Sequence, residues 1–186
     1  MTVEQSLSDA EQKMRSAVSV TQDELGTIRT GRANPRLLDR LTVDYYGTQV
    51  PLNQLASFSV PEPRLLVIQP FDKSAISAME KAIQSSDLGL TPSNDGNVIR
   101  LAFPPLTEER RRELIKLAKE RAEDGRVSVR NVRRHAKESL ERLEREHTIS
   151  EDDLRRSEKE LQRLTDQYVA EIDKLLEHKD KELMEV

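Results

Sequence analysis

Residues 122–140 read Ala122-Glu123-Asp124-Gly125-Arg126-Val127-Ser128-Val129-Arg130-Asn131-Val132-Arg133-Arg134-His135-Ala136-Lys137-Glu138-Ser139-Leu140, and whether the chain turns at Asp124-Gly125 decides the fold. Asp-Gly is a turn signal. Against a turn, Leu114, Ala118, Ala122, Gly125, Val129, Val132, Ala136, Leu140 and Leu143 hold one helical phase straight through it. A break would reset that phase, so the segment is one very long helix with Gly125 on its packed seam. A missing side chain there lets helices approach closely, against a propensity cost of about 1 kcal/mol relative to Ala. At ~1.5 Å per residue this helix is about 60 Å long.

Working outward, Pro104-Pro105 can neither continue a strand ladder nor sit inside a helix, so they mark its approach. Thr107 caps the start, and Glu108, Glu109 and Glu113 suit its positive end. The helix ends near His147. Ser150 with Asp153 then forms a capping box for another helix, with a seam at Leu154, Ser157, Leu161, Leu164, Tyr168, Ile172, Leu175 and Leu183. So short a connection makes the two helices antiparallel neighbours. A first helix carries Leu7, Ala10, Met14, Ala17, Thr21, Leu25 and Ile28, and is expected to stop at Thr30-Gly31 before Asn34-Pro35. Two helices cannot cover two seams fully, so the first supplies the third side of a bundle.

Between the first helix and the long one the texture changes. Residues 41–45 and 48–50 flank Gly47 as a hairpin, and Arg64–Gln69 is a short apolar strand bounded by prolines. Asp72 can cap a helix over about 74–86 with Ile76, Met79, Ala82 and Ile83 inward, and Gly89 suits the left-handed position after it. Residues 94–97 form a turn before a last strand at Val98–Phe103. The predicted fold is α+β in two domains. An elongated antiparallel three-helix bundle (residues 1–30 and 106–186) is interrupted by a small α/β domain (31–105) with a mixed sheet and one helix. Two chain crossings restrict motion between the domains to a hinge at about 30–34 and 103–106, with Thr30, Gly31, Pro104 and Pro105 as its residues.

Composition sets limits on function. With 34% charged residues, 3% aromatics and no Trp, the 186-residue chain favours long helices with Leu/Ala/Val seams. A net charge of −4 argues against indiscriminate polyanion binding, so nucleic-acid contact must come from a local patch. Absence of cysteine excludes disulfides and thiolate metal sites. Lacking an apolar run of ~18 residues and a leader-like N-terminus, the chain is expected to be soluble and cytoplasmic, with no membrane partner.

The local patch lies on the long helix. Between Gly125 and Lys137 stand Arg126, Arg130, Arg133, Arg134 and Lys137, without one carboxylate. On a helix they fall within an arc of about 100°. Arginine's planar fork of donors suits phosphate. A solvated face tied up by carboxylates at i,i+4 is the usual fate of such residues, and it loses ground because the run supplies no acid of its own. Phosphate or RNA contact is the favoured reading.

No catalytic constellation competes. His135, His147 and His178 read as solvated surface residues with no i,i+4 partner among them. Glycine is too sparse for a phosphate-cradling loop. Gly31 between Arg29 and Arg32 could hold a phosphate or be a bare hinge. Tyr45 and Tyr46 could stack on bases, with burial on a strand the favoured alternative. No cofactor or metal is implied.

Several stretches match a known family: residues 28–35 (Ile-Arg-Thr-Gly-Arg-Ala-Asn-Pro), 43–48 (Val-Asp-Tyr-Tyr-Gly-Thr), 86–90, 104–111, 129–134 (Val-Arg-Asn-Val-Arg-Arg) and 149–153. In that order and spacing, the chain closely resembles bacterial ribosome recycling factor over its whole length. The resemblance implies an L-shaped, transfer-RNA-sized molecule with no enzymatic activity of its own. It implies action after termination, when the factor binds the ribosome and, with elongation factor G and its GTP hydrolysis, splits the subunits and frees messenger and deacylated transfer RNA. The bundle would lie against large-subunit ribosomal RNA, with Arg130, Arg133 and Arg134 as main contacts, Arg126 beside them, and Arg111, Arg29 and Arg32 in support. The competing classes are a coiled-coil adaptor whose seams pair with another chain and, more distantly, an enzyme of unknown type. Intramolecular closure and an elongated monomer are expected instead.

Overall fold

The computed structural model describes residues 1–185. In chain order the elements are α1 (Val3–Gly26), β1 (Thr42–Tyr45), β2 (Thr48–Pro51), β3 (Ala56–Glu62), β4 (Leu65–Pro70), α2 (Ile76–Gln84), β5 (Pro92–Asn94), β6 (Ile99–Ala102), α3 (Glu108–Arg145) and α4 (Glu151–Met184). The chain divides into two compact units, Met1–Arg29 with Thr107–Glu185, and Thr30–Leu106.

The first unit is helical. α3 runs for 38 residues without a break at Asp124-Gly125, as its seam requires. Thr107 accepts the Arg110 N–H at 3.1 Å to open it, and His147, at φ 57, reverses the chain after it. The Ser150–Asp153 capping box then starts α4, each side chain accepting the other's backbone N–H. A second such box, Thr2 with Gln5, opens α1. α1 stops at Gly26, short of the expected Thr30-Gly31. The reason is local: the Thr27 hydroxyl donates to the Glu24 carbonyl at 2.7 Å and closes the final turn.

Met14, Ala122, Val129, Leu140, Leu161, Tyr168 and Ile172 meet in a core shared by all three helices. Each large apolar side chain removed from water contributes roughly 1.5–3 kcal/mol, so the stripes hold the helices together. The Tyr168 hydroxyl donates to Glu11 at 2.9 Å and accepts from Arg15 at 3.3 Å, so a core residue of α4 is tied to the polar edge of α1.

The second unit holds a β1–β2 hairpin and a four-stranded sheet ordered β3-β4-β6-β5. Its α2 covers the core with Ile76, Met79 and Ile83, against Leu66, Ile68, Ile99 and Leu101. Tyr46 and Gly47, at φ 50 and 81, form the two-residue turn of the hairpin. The sheet corrects the expectation in three respects. Every ladder is antiparallel, not mixed, because β3–β4 and β5–β6 are hairpins and β4 meets β6 head to tail. The sequence reading places no strand at β3 or β5, which carry Pro61 and Pro92. Both are edge strands, where an absent N–H does no harm, and the β3 register shifts between Ser59 and Glu62 around Pro61. The helix is shorter than expected, since residues 73–75 form a 3-10 turn before α2.

Candidate nucleic-acid interface

α3 positions the arginine row. Its seam turns Gly125, Val129 and Ala136 inward, which sends Arg126 and Arg133 to the border facing α4 and Arg130 and Arg134 outward. Their environments differ, and the differences follow from what α4 presents.

Arg126 is held within the protein. Its Nε donates to Asp173 on α4 at 2.7 Å and its Nη1 to Glu123 at 3.0 Å, with only 19% of its side chain exposed. Burial works against the charged guanidinium, but the hydrogen bonds to Asp173 and Glu123 outweigh it and raise its pKa above the ordinary arginine value. The run from Gly125 to Lys137 does lack carboxylates, as its sequence says. Glu123, just before it, and Asp173, across the helix pair, supply them instead.

Further along, the internal counter-charges fall away. Arg130, half-exposed, reaches Glu123 at 3.3 Å, sharing that carboxylate with Arg126. Arg133 makes a long 3.5 Å contact with the amide oxygen of Gln162 on α4, and Arg134 donates to Asn131 at 3.2 Å. Among the described residues neither has an ion-pair partner. Lys137 stands 3.9 Å from Glu141, a weak exposed pair. The arrangement offers outward-directed forks with neutral or shared partners, able to exchange them for phosphate oxygens at little loss.

The supporting arginines have other surroundings. Arg111 is half-buried at the start of α3, 3.5 Å from Glu108. Arg29 and Arg32 are exposed around Gly31, which has a left-handed φ of 78. Thr30 and Gly31 are half-buried, and Pro104 and Pro105 are exposed.

His135, His147 and His178 are all exposed, and His178 lies 2.9 Å from Glu182. Among the described residues, no group of three or more His, Asp and Glu could hold a metal ion, and no helix is long and apolar enough to cross a membrane. The two tyrosines differ, since Tyr45 ends β1 and packs against the core of its unit while Tyr46 does not lie on a strand. Tyr45 is half-buried with its hydroxyl donating to Asp72 at 2.8 Å. Tyr46 sits in the turn and is 80% exposed.

What the sequence reading missed is the α4 side of this face: Asp173, Gln162, Arg155 and Lys159. Glu123 was legible at three residues before Arg126. The α4 residues depend on the antiparallel register, which no local pattern gives.

Comparison with known proteins agrees along the whole chain. The family model described as Ribosome recycling factor matches residues 21–184. The chain is 55% identical over 184 residues to the ribosome-recycling factor of Acidothermus cellulolyticus, covering 99% of this chain and 100% of that one. It is 60% identical over 182 residues to that of Geobacillus kaustophilus, covering 98% of each. Among solved structures, a solution structure of the ribosome recycling factor matches with TM-score 0.79 and 47% identity, covering 100% of this chain and 99% of that one. A second match (TM-score 0.67, 46% identity, 98% and 99% covered) comes from models for the T. thermophilus ribosome recycling factor and the E. coli elongation factor G bound to the E. coli post-termination complex. The long helical unit, the small sheet unit inserted into it and this identity over the full length together place the chain in the ribosome recycling factor family.

Proposed function

We propose that this protein acts as a monomer in the cytoplasm. It binds the post-termination ribosome through large-subunit ribosomal RNA and, with elongation factor G, separates the subunits so that messenger and deacylated transfer RNA are freed. GTP hydrolysis by that partner drives the step, and this chain performs no catalysis. Arg130, Arg133 and Arg134 are the main phosphate contacts. Arg126, fixed to Asp173 and Glu123, stiffens the row, and Arg111, Arg29 and Arg32 add supporting charge. Thr30, Gly31, Pro104 and Pro105 form the hinge through which the smaller unit is moved.

The observation that carries this reading is the row of guanidiniums on a 38-residue helix, of which Arg133 and Arg134 have no ion-pair partner among the described residues. A charged face on a packed, continuous helix is a rigid grip, and each phosphate it neutralises adds salt-sensitive affinity. Force on the smaller unit is then resisted by the bundle instead of dissipating in a flexible tether.

The test is a polysome-breakdown assay with elongation factor G and GTP, run beside a ribosome-binding titration. The chain should support breakdown, and Arg130→Glu/Arg133→Glu should lose binding by tenfold or more while keeping its helical signal. Normal binding by that folded double variant would refute the site.

A further inference from the structure

Stepping along α3 from Arg126 to Lys137, the facing residues of α4 run backward from Asp173 through Gln162 to Lys159 and Arg155. Their charge changes along the way. At Arg126 the partner helix supplies a carboxylate. At Arg133 it supplies a neutral amide, and beyond that it supplies more cations. Arg133, Lys137, Arg155 and Lys159, with Gln162 and Glu158, line one open cleft of about 320 Å³ on the outside of the helix pair.

Cations facing cations across a helix pair repel, by an amount similar to the attraction of opposite pairs. Relief from inside the chain is slight. Arg155 lies 3.6 Å from Glu151 and Lys137 lies 3.9 Å from Glu141, both exposed pairs of little worth. Lys159 has no ion pair among the described residues, and Glu158 is the one carboxylate lining the cleft. Gln162 has one hand engaged, donating to Asp166 at 2.8 Å, and turns its oxygen to Arg133. That holds the guanidinium at the mouth of the cleft without neutralising it. Four cations against one carboxylate, converging from two rigid helices on a concavity several times a water molecule's ~30 Å³ share of liquid, make a seat for an anionic oxygen cluster.

We infer that the phosphate grip is a two-helix clamp: Arg155 and Lys159 of α4 close with Arg133 and Lys137 of α3 on a backbone phosphate of the bound RNA. This rests on the ribosomal-RNA reading above and extends it to a second helix. A phosphodiester fits because its two unesterified oxygens can be approached from both sides at once, one by the Arg133 fork and the other by the Lys159 ammonium. An RNA strand lying along the groove between the helices then meets the remaining row at Arg130 and Arg134.

The test uses the full chain and large ribosomal subunits, with affinity followed against salt. Arg155→Gln/Lys159→Gln should lower the slope of log K against log [salt] by up to about one, the share of a single neutralised phosphate, and Arg133→Gln should lower it likewise. Arg163→Gln, also on α4 but paired with Glu160 away from the cleft, should leave it unchanged. An unchanged slope for the α4 double variant with a reduced one for Arg133→Gln overturns the clamp and leaves the α3 contact standing. Unchanged slopes for both overturn the RNA reading and the clamp with it. In a parallel arm, inorganic phosphate is titrated into the isolated chain. Saturable binding there, abolished in the α4 double variant whose ribosome slope is unchanged, would make the cleft a free-anion site and overturn the clamp equally.

Discussion

Gly125 and Thr21 set the distance between α3 and α1: a β-carbon built on Gly125 would overlap the Thr21 hydroxyl oxygen and lie 3.2 Å from the Ile172 Cδ1 of α4. The hydroxyl cannot easily retreat, since it donates to the Ala17 carbonyl at 2.9 Å and Thr21 is buried. This is why a glycine stands in mid-helix at a position where alanine would favour the helix by about 1 kcal/mol.

Gly125→Ala should therefore destabilise the helical unit despite the better propensity. Overpacking costs about 1–3 kcal/mol, so the urea midpoint followed by helical circular dichroism should fall. Adding Thr21→Ala should recover most of the loss by removing the opposing oxygen. A midpoint that rises with Gly125→Ala alone would show that the helices do not meet so closely in solution.

Arg126 and Arg133 should separate stability from binding. Arg126→Gln abandons Asp173 and Glu123, and a pair this partly exposed is worth about 0.2–1 kcal/mol, so stability should drop slightly with little change in ribosome affinity. Arg133→Gln breaks only a long contact to Gln162, so its stability should hold while affinity falls. Reversal of that pattern in paired unfolding and binding titrations would mean the internal ion pairs do not govern which arginine is available.

The turn before β6 should titrate abnormally. Asp95 accepts the backbone N–H groups of Asn97 and Val98 at 2.9 and 3.0 Å and an Arg100 donor at 2.9 Å. The Val98 and Asn97 amides, then Arg100, hold its pKa down to about 2. A carboxyl depressed on folding stabilises fully above its unfolded value near 3.9, and that contribution is lost as pH falls through about 2. A carboxyl-detected NMR titration should give that midpoint, and Arg100→Gln should move it upward. A midpoint near the ordinary aspartate value in the native chain would mean that the turn is open in solution.

Gly31 tests the hinge. At φ 78 it occupies a conformation that a β-branched residue strongly resists. Gly31→Val should push the connection elsewhere and impair subunit splitting more than initial ribosome binding. Equal loss of both, in splitting and binding assays run side by side, would leave Gly31 without a hinge role.

Much of the helical unit could be read from residue spacing because a helix buries a stripe set by its own geometry. Leu114 through Leu143 kept phase across Asp124-Gly125, and Ser150 and Thr107 announced their caps. The sheet unit was harder. β3 and β5 contain Pro61 and Pro92, and only their edge positions in the sheet make such strands possible. The arginine row was visible as a helical face, yet its spacing alone did not show that Arg126 is tied to Asp173 and Glu123.

The sequence by itself determined the long unbroken helix, its neighbour and the concentration of cations on one arc, since these depend on residues a few places apart. Tertiary structure alone decided which cations are available. Asp173 stands 47 residues from Arg126 in the chain, and Gln162 stands 29 from Arg133. The antiparallel register of α3 and α4 brings them together, and Coulomb attraction acts on that proximity regardless of order along the chain.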